Sequence, residues 1–222
     1  MMKNFKNTLL NMNDDLLLKL EEDNIQLKKT ISEKMKNSSL TPASSSWING
    51  ILNVLDSKVI IKSTIDDLQW FHNYGMAGCK RILDIGCGAG YISLMISRMG
   101  KDVIGYEFIG KWVGQEHKES DYYESFSFTH NCVKQIAMTN GGRGGHLNFN
   151  FYQSFPLDIS EASIDCVVMY AVMEHLDPSI IVPFFSELRR ILKPKGLLFI
   201  AKLPRKLSYQ EHLAHFLRIP SR

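Results

Sequence analysis

The chain has 222 residues, an ordinary apolar fraction of 45%, and a formal net charge of +3. That length suits one substantial domain with its own core plus a smaller appendage. So slight a charge, with no basic stripe interleaved with aromatics, argues against nucleic acid as a partner, and the apolar runs are too short to span a bilayer.

The N-terminus runs from Met1-Met2-Lys3-Asn4-Phe5 to Asp14-Asp15 with no apolar stretch before a small-residue cleavage site, so no signal peptide is expected. Residues from about Leu9 to Asn37 read as one long polar helix. Leu10, Leu17, Asn24 and Ile31 form one heptad row, and Asn13, Leu20, Leu27 and Lys34 its companion. Such a seam with an interior Asn reads either as a short coiled coil, giving a homodimer or partner contact, or as an amphipathic helix folded onto its own domain. Ser38 to Ser46 reads as a linker, rich in turn formers. Two helices follow, Trp47 to Leu55 and Thr64 to Tyr74, the second with Ser63 or Thr64 as cap and Asp66-Asp67 in its first turn. Trp47, Trp70, Phe71, His72 and Tyr74 either line a pocket or pack on a sheet.

The most informative stretch is Arg81-Ile82-Leu83-Asp84-Ile85-Gly86-Cys87-Gly88-Ala89-Gly90. A short apolar strand ends in three glycines at alternate positions, and Tyr91 to Met99 opens a helix. Strand, glycine turn and helix in that order bind a nucleotide at the edge of an α/β sheet, because a ligand must approach backbone that a Cβ would cover. A dinucleotide turn would carry its third glycine at the sixth position, where this chain has Tyr91. A second strand, Lys101 to Glu107, ends in an acid that can accept two ribose hydroxyls.

The Asp-x-Gly-x-Gly-x-Gly pattern resembles motif I of the class I S-adenosylmethionine-dependent methyltransferases. The resemblance implies a Rossmann-like, doubly wound α/β fold: a mostly parallel sheet with helices on both faces, here with an N-terminal helical extension. It covers about Lys80 to Leu203, within a methyltransferase domain of residues 47–222 that follows an N-terminal helix (1–37) and a linker (38–46). The cofactor would be S-adenosylmethionine, leaving as S-adenosylhomocysteine. Asp84, Gly86, Cys87, Gly88 and Gly90 would surround its methionine end, Glu107 its ribose, and Phe108 its adenine. The family usually places an Asp after the third strand to bond adenine. That strand, His146 to Gln153, is followed here by Gln153 and Ser154, which would accept the same bond without the charge.

Further along, Lys111 to Met138 reads as mostly helical and Asn140 to Gly145 as a solvated connector. Cys166 to Tyr170 is a near-continuous apolar run suited to a central strand. Met173-Glu174-His175-Leu176 matches the Glu-His-Leu common in small-molecule methyltransferases. Tyr170 and Ala171 would floor the sulfonium, while His175 and Glu174 are the candidate base and orienting acid. No Asn-Pro-Pro-Tyr or Asp-Pro-Pro-Tyr follows this strand, against methylation of nucleobase amines. A helix to Leu192, a break at Lys193-Pro194-Lys195-Gly196 and a fifth strand from Leu197 to Ala201 complete the core. Leu207 to Leu217 supplies a last helix, and the family's final antiparallel hairpin is expected to be absent. His212 and His215 find no third ligand, and Cys79, Cys87, Cys132 and Cys166 show no metal spacing, so no metal is expected and the thiols read as reduced and cytoplasmic. The expected function is methyl transfer to a small-molecule or lipid- or sugar-linked acceptor. The rival is an inactive methyltransferase-like module that serves a partner.

Overall fold

The computed structural model describes residues 14–109, 118–139 and 145–202; of Asp14, Asp15 and Glu174 only the backbone is described. Leu10 and Asn13, the start of the long middle helix, the Asn140–Gly144 connector, the Leu207–Leu217 helix, and His212 and His215 lie outside those residues.

Three helices come first: α1 (Asp14–Lys36), α2 (Pro42–Asp56) and α3 (Lys58–Asn73). Two of them start earlier than the residues suggested. Thr41 accepts the Ser44 N–H and Pro42 takes the first helical position, so the serine-rich run is helix rather than linker from Pro42 onward. In α3 the cap is Ser57, which accepts the Ile60 N–H. Ile61, Thr64, Ile65, Leu68 and Phe71 then fall on one buried stripe.

The sheet comprises β1 (Arg81–Ile85), β2 (Asp102–Phe108), β3 (Leu147–Tyr152), β4 (Ile164–Tyr170) and β5 (Leu192–Ala201). Their spatial order is β3-β2-β1-β4-β5, and every described pair is parallel. β5 extends further back than Leu197: Leu192 pairs with Ile164 and Leu197 with Cys166, so the predicted break is a bulge inside the strand. α4 (Tyr91–Arg98), α5 (Glu119–Thr139) and α6 (Ile181–Ile191) complete the layers.

The two faces separate by strand alternation. Cys166 and Val168 of β4 face the cluster built by α1 to α5, with Leu27, Ile48, Leu68, Ile96 and Ile136. Val167 and Met169 face α6, with Phe184, Leu188 and Ile191. α1 lies on α2, α4 and α5 of its own domain. Its Leu20, Leu27 and Ile31 are fully buried, while Leu18 and Ile25 point to solvent. Asp23 of α1 forms a buried ion pair with Arg98 of α4 at 2.6 Å, and the same guanidinium donates to the Ile136 and Ala137 carbonyls of α5. Among the early aromatics, Trp47 meets Phe126 edge-on and Phe71 stacks on Phe199, so both are packing residues; Trp70 and Tyr74 stack on each other and stay exposed. No helix among the described residues is long and apolar enough to cross a membrane.

Candidate active site

Strand order reverses at β1 and β4, and ligands of open α/β sheets sit at the carboxyl ends of the strands beside such a reversal. The glycine turn lies there. Its peptides fold back on β2, since Gly86 and Cys87 both donate to the Tyr106 carbonyl. Gly86 has φ +72°, and a Cβ on it would stand 2.5 Å from Val172 of the loop after β4. Gly90 has φ +83°, and a Cβ there would meet the Phe149 ring at 2.6 Å. A Cβ on Gly88 would meet nothing within 4 Å, so this one glycine leaves open space above the backbone.

Two buried carboxylates flank the turn. Asp84, 1% exposed at the end of β1, accepts the Ser93 hydroxyl of α4 at 2.5 Å. Burial pushes its carboxyl up to about 6, with Ser93 opposing. Glu107, 3% exposed near the end of β2, accepts the Gly88 N–H at 2.5 Å with one oxygen and the Phe108 N–H at 3.1 Å with the other. Burial raises it to about 8 against the pull of those two N–H groups. Cys87 is held as a neutral thiol by burial, with the Glu107 and Asp84 charges adding to it.

The remaining predicted residues are distributed around this centre. Phe108 is half-buried with its ring 5.3 Å from Tyr152, and Gln153 and Ser154 are exposed directly after β3. Ala171 takes φ +55° and donates its N–H to Ala201, which turns the chain so that Val172 covers Gly86. Tyr170 directs its phenol to α3, bonding Asp67 and Thr64. His175 ends a short 3₁₀ turn, Met173–His175, and is exposed at the same edge.

Two residues at this centre escape a reading of the chain. His130 of α5 is 3% exposed; its Nε2 donates to the Gly88 carbonyl at 2.7 Å and lies 3.7 Å from Cys87 Sγ. Its ring stacks on Phe149 with centroids 4.0 Å apart, and desolvation lowers its pKa to about 4. Tyr152, at the end of β3, joins Phe108 and Phe155 in an aromatic group, with its phenol held neutral by burial and by Glu107. Tyr152 falls in the polar row of β3 with Asn148 and Asn150, and His130 sits amid a polar helical run, so neither carried a signal.

The profile of the family described as "Methyltransferase domain" matches residues 27–221. A protein named ubiquinone biosynthesis O-methyltransferase from Sinorhizobium fredii is 30% identical over 129 residues, covering 57% of this chain and 42% of that protein. A protein of the same name from Acinetobacter baumannii is 27% identical over 135 residues, covering 59% of this chain and 46% of its own. The chain thus spans less than half the length of these relatives. The crystal structure of the PH0226 protein from Pyrococcus horikoshii superposes with a TM-score of 0.49 at 20% identity, over 75% of this chain and 66% of that one. With a profile match over most of its length, on a parallel sheet whose glycine turn and acid stand at the point of reversal, this chain belongs to the methyltransferase family, in its class I, S-adenosylmethionine-dependent form.

Proposed function

We propose that this chain binds S-adenosylmethionine at the β1–β2 edge and transfers its methyl group to a small-molecule or lipid- or sugar-linked acceptor. The observation that carries this reading is the contact between Glu107 and the glycine turn. Each Glu107 oxygen holds one backbone N–H and keeps a lone pair, which suits the two vicinal hydroxyls of a ribose. The space over Gly88 admits a ligand against bare backbone. In this reading Asp84, Gly86, Cys87, Gly88 and Gly90 hold the methionine end, Phe108 with Tyr152 faces adenine, and Gln153 or Ser154 meets its edge.

The cofactor supplies an electrophilic methyl on a good leaving group, so the chain's own work is alignment and exclusion of water. Tyr170 and Ala171 close the floor on the β4 side. His175 and Glu174, in the loop beyond, orient the acceptor. The relatives' name supports oxygen as the methylated atom.

Titration calorimetry with S-adenosylmethionine and S-adenosylhomocysteine tests the reading. We expect micromolar binding, weakened at least tenfold by Glu107→Ala and by Gly88→Leu, which fills the open space. Melting temperatures near that of the parent chain would show that both variants fold. Absence of binding in the parent chain would overturn the enzyme reading in favour of a methyltransferase-like module that serves a partner.

A further inference from the structure

On the β4–β5 side of the same sheet edge, polar side chains from α3, β4 and the end of β5 form a connected chain. Tyr170, the last residue of β4, donates its phenol hydrogen to Asp67 Oδ2 at 2.8 Å and lies 3.2 Å from Thr64 Oγ1. Lys202, next after β5, pairs with the same Asp67 oxygen at 2.8 Å and donates to Ser63 Oγ at 2.7 Å. Its ammonium stands 5.7 Å from the centre of the Tyr170 ring. Tyr91, the residue after Gly90, feels the charge of Lys202 and the Tyr170 phenol, which sets the cluster beside the glycine turn. The Asp67 and Lys202 side chains are 32% and 40% exposed, so a ligand can reach them.

The bonding pattern limits what such a ligand can be. Lys202 balances the Asp67 charge, so the cluster offers no surplus negative charge to an ammonium group. The Tyr170 oxygen has given its hydrogen to Asp67 and keeps acceptor capacity. Two contacts use two of the three Lys202 N–H bonds, leaving one to donate among the described residues. A proton acceptor beside a cationic donor matches a group that begins as O–H and gains negative charge as it reacts. Burial and the neighbouring carboxylate keep the Tyr170 phenol protonated until Asp67 receives its hydrogen.

We propose that Tyr170, Asp67 and Lys202 form the polar end of the acceptor subsite and that this subsite takes a hydroxyl acceptor, with Tyr170 receiving its proton. The inference rests on the methyltransferase reading above. The acceptor O–H bond breaks as the O–CH3 bond forms, and the S–CH3 bond breaks with its electron pair going to sulfur. The proton passes to Tyr170 while the Tyr170 hydrogen passes to Asp67 and on to solvent. Lys202 stabilises the oxygen as it loses the proton. A clasp that only fastens α3 to the sheet would need no phenol within it, and it would not distinguish a hydroxyl from an amine.

The test uses the whole chain with saturating S-adenosylhomocysteine, whose binding is first measured by calorimetry. 4-Nitrophenol is then titrated in, reading its phenolate absorbance, alongside its amine analogue 4-nitroaniline. We expect a saturable difference spectrum for the phenol alone, weakened at least tenfold by Tyr170→Phe and by Asp67→Asn. Lys202→Met should shift the ionisation of the bound probe toward the neutral phenol. The melting temperature of each variant, near that of the parent chain, reports that it is folded. Equal binding of the amine, a phenol signal indifferent to these variants, or no signal with the cofactor product bound would each overturn the subsite and leave the methyltransferase reading standing. Failure of S-adenosylhomocysteine to bind would overturn both.

Discussion

Gly88 is gripped at both of its peptide groups, by Glu107 at the N–H and by His130 at the carbonyl. A carbonyl only accepts, so His130 carries its hydrogen on Nε2, and its Nδ1 is buried with no partner among the described residues. His130→Ala removes this bond and part of the stack on Phe149. The expected result is about a tenfold loss of S-adenosylhomocysteine affinity, roughly the worth of one hydrogen bond with its packing. His130→Gln, whose amide can donate to the same carbonyl, should recover most of the loss; calorimetry of both variants decides. The carboxylates predict a pH dependence. Glu107 is raised to about 8 and Asp84 to about 6, so the folded chain binds their protons more tightly than the unfolded one. Their contribution to stability is therefore complete at acid pH, below their unfolded values, and is lost as pH rises through 6 and then 8. Without cofactor, the urea midpoint should fall as pH rises from about 4 to about 8, and Glu107→Leu should flatten the upper part of that slope.

At the scale of elements, α1 is held by a charge rather than by a heptad seam alone. Asp23 and Arg98 are both buried, and the guanidinium also bonds two carbonyls of α5. Removing one partner of such a pair strands the other in a medium that solvates it poorly. Asp23→Ala should cost about 3 kcal/mol in a urea unfolding series, more than the paired change Asp23→Leu with Arg98→Met. This contact also shows where the sequence runs out. The strands and the glycine turn were legible because each depends on residues adjacent in the chain: Asp84, three glycines at alternate positions, and an acid closing the next strand; the parallel sheet followed from the resemblance that this pattern carries. The partners of that turn were not legible. His130 reaches Gly88 across 42 residues and Tyr170 reaches Asp67 across 103, and no local periodicity encodes either. The starts of α2 and α3 were hidden for another reason, since Ser, Thr and Pro mark both turns and helix caps, and only the fold decides which.

Taken as a whole, the molecule concentrates its helices unevenly. Among the described residues, five of them share one face of the sheet and α6 covers the other. The crowded face joins α1 to the strands through a continuous buried cluster, from Leu20, Leu27 and Ile31 through Ile48 and Leu68 to Val103 and Val168. Helices packed this way unfold with the sheet rather than before it, because opening α1 would expose the apolar surface of α2 and α5 together. A coiled-coil arm projecting from the domain would behave differently, exchanging its amides without disturbing the strands. Native-state hydrogen exchange separates the two. Amides of the buried α1 face should exchange with the same free energy as those of β1 and β4. Cofactor product at a hundred times its dissociation constant should raise both by the same amount, about 2.7 kcal/mol. If α1 instead exchanged early and gained nothing from the ligand, the helix would be an independent unit, and its exposed Leu18 and Ile25 the place to look for a partner.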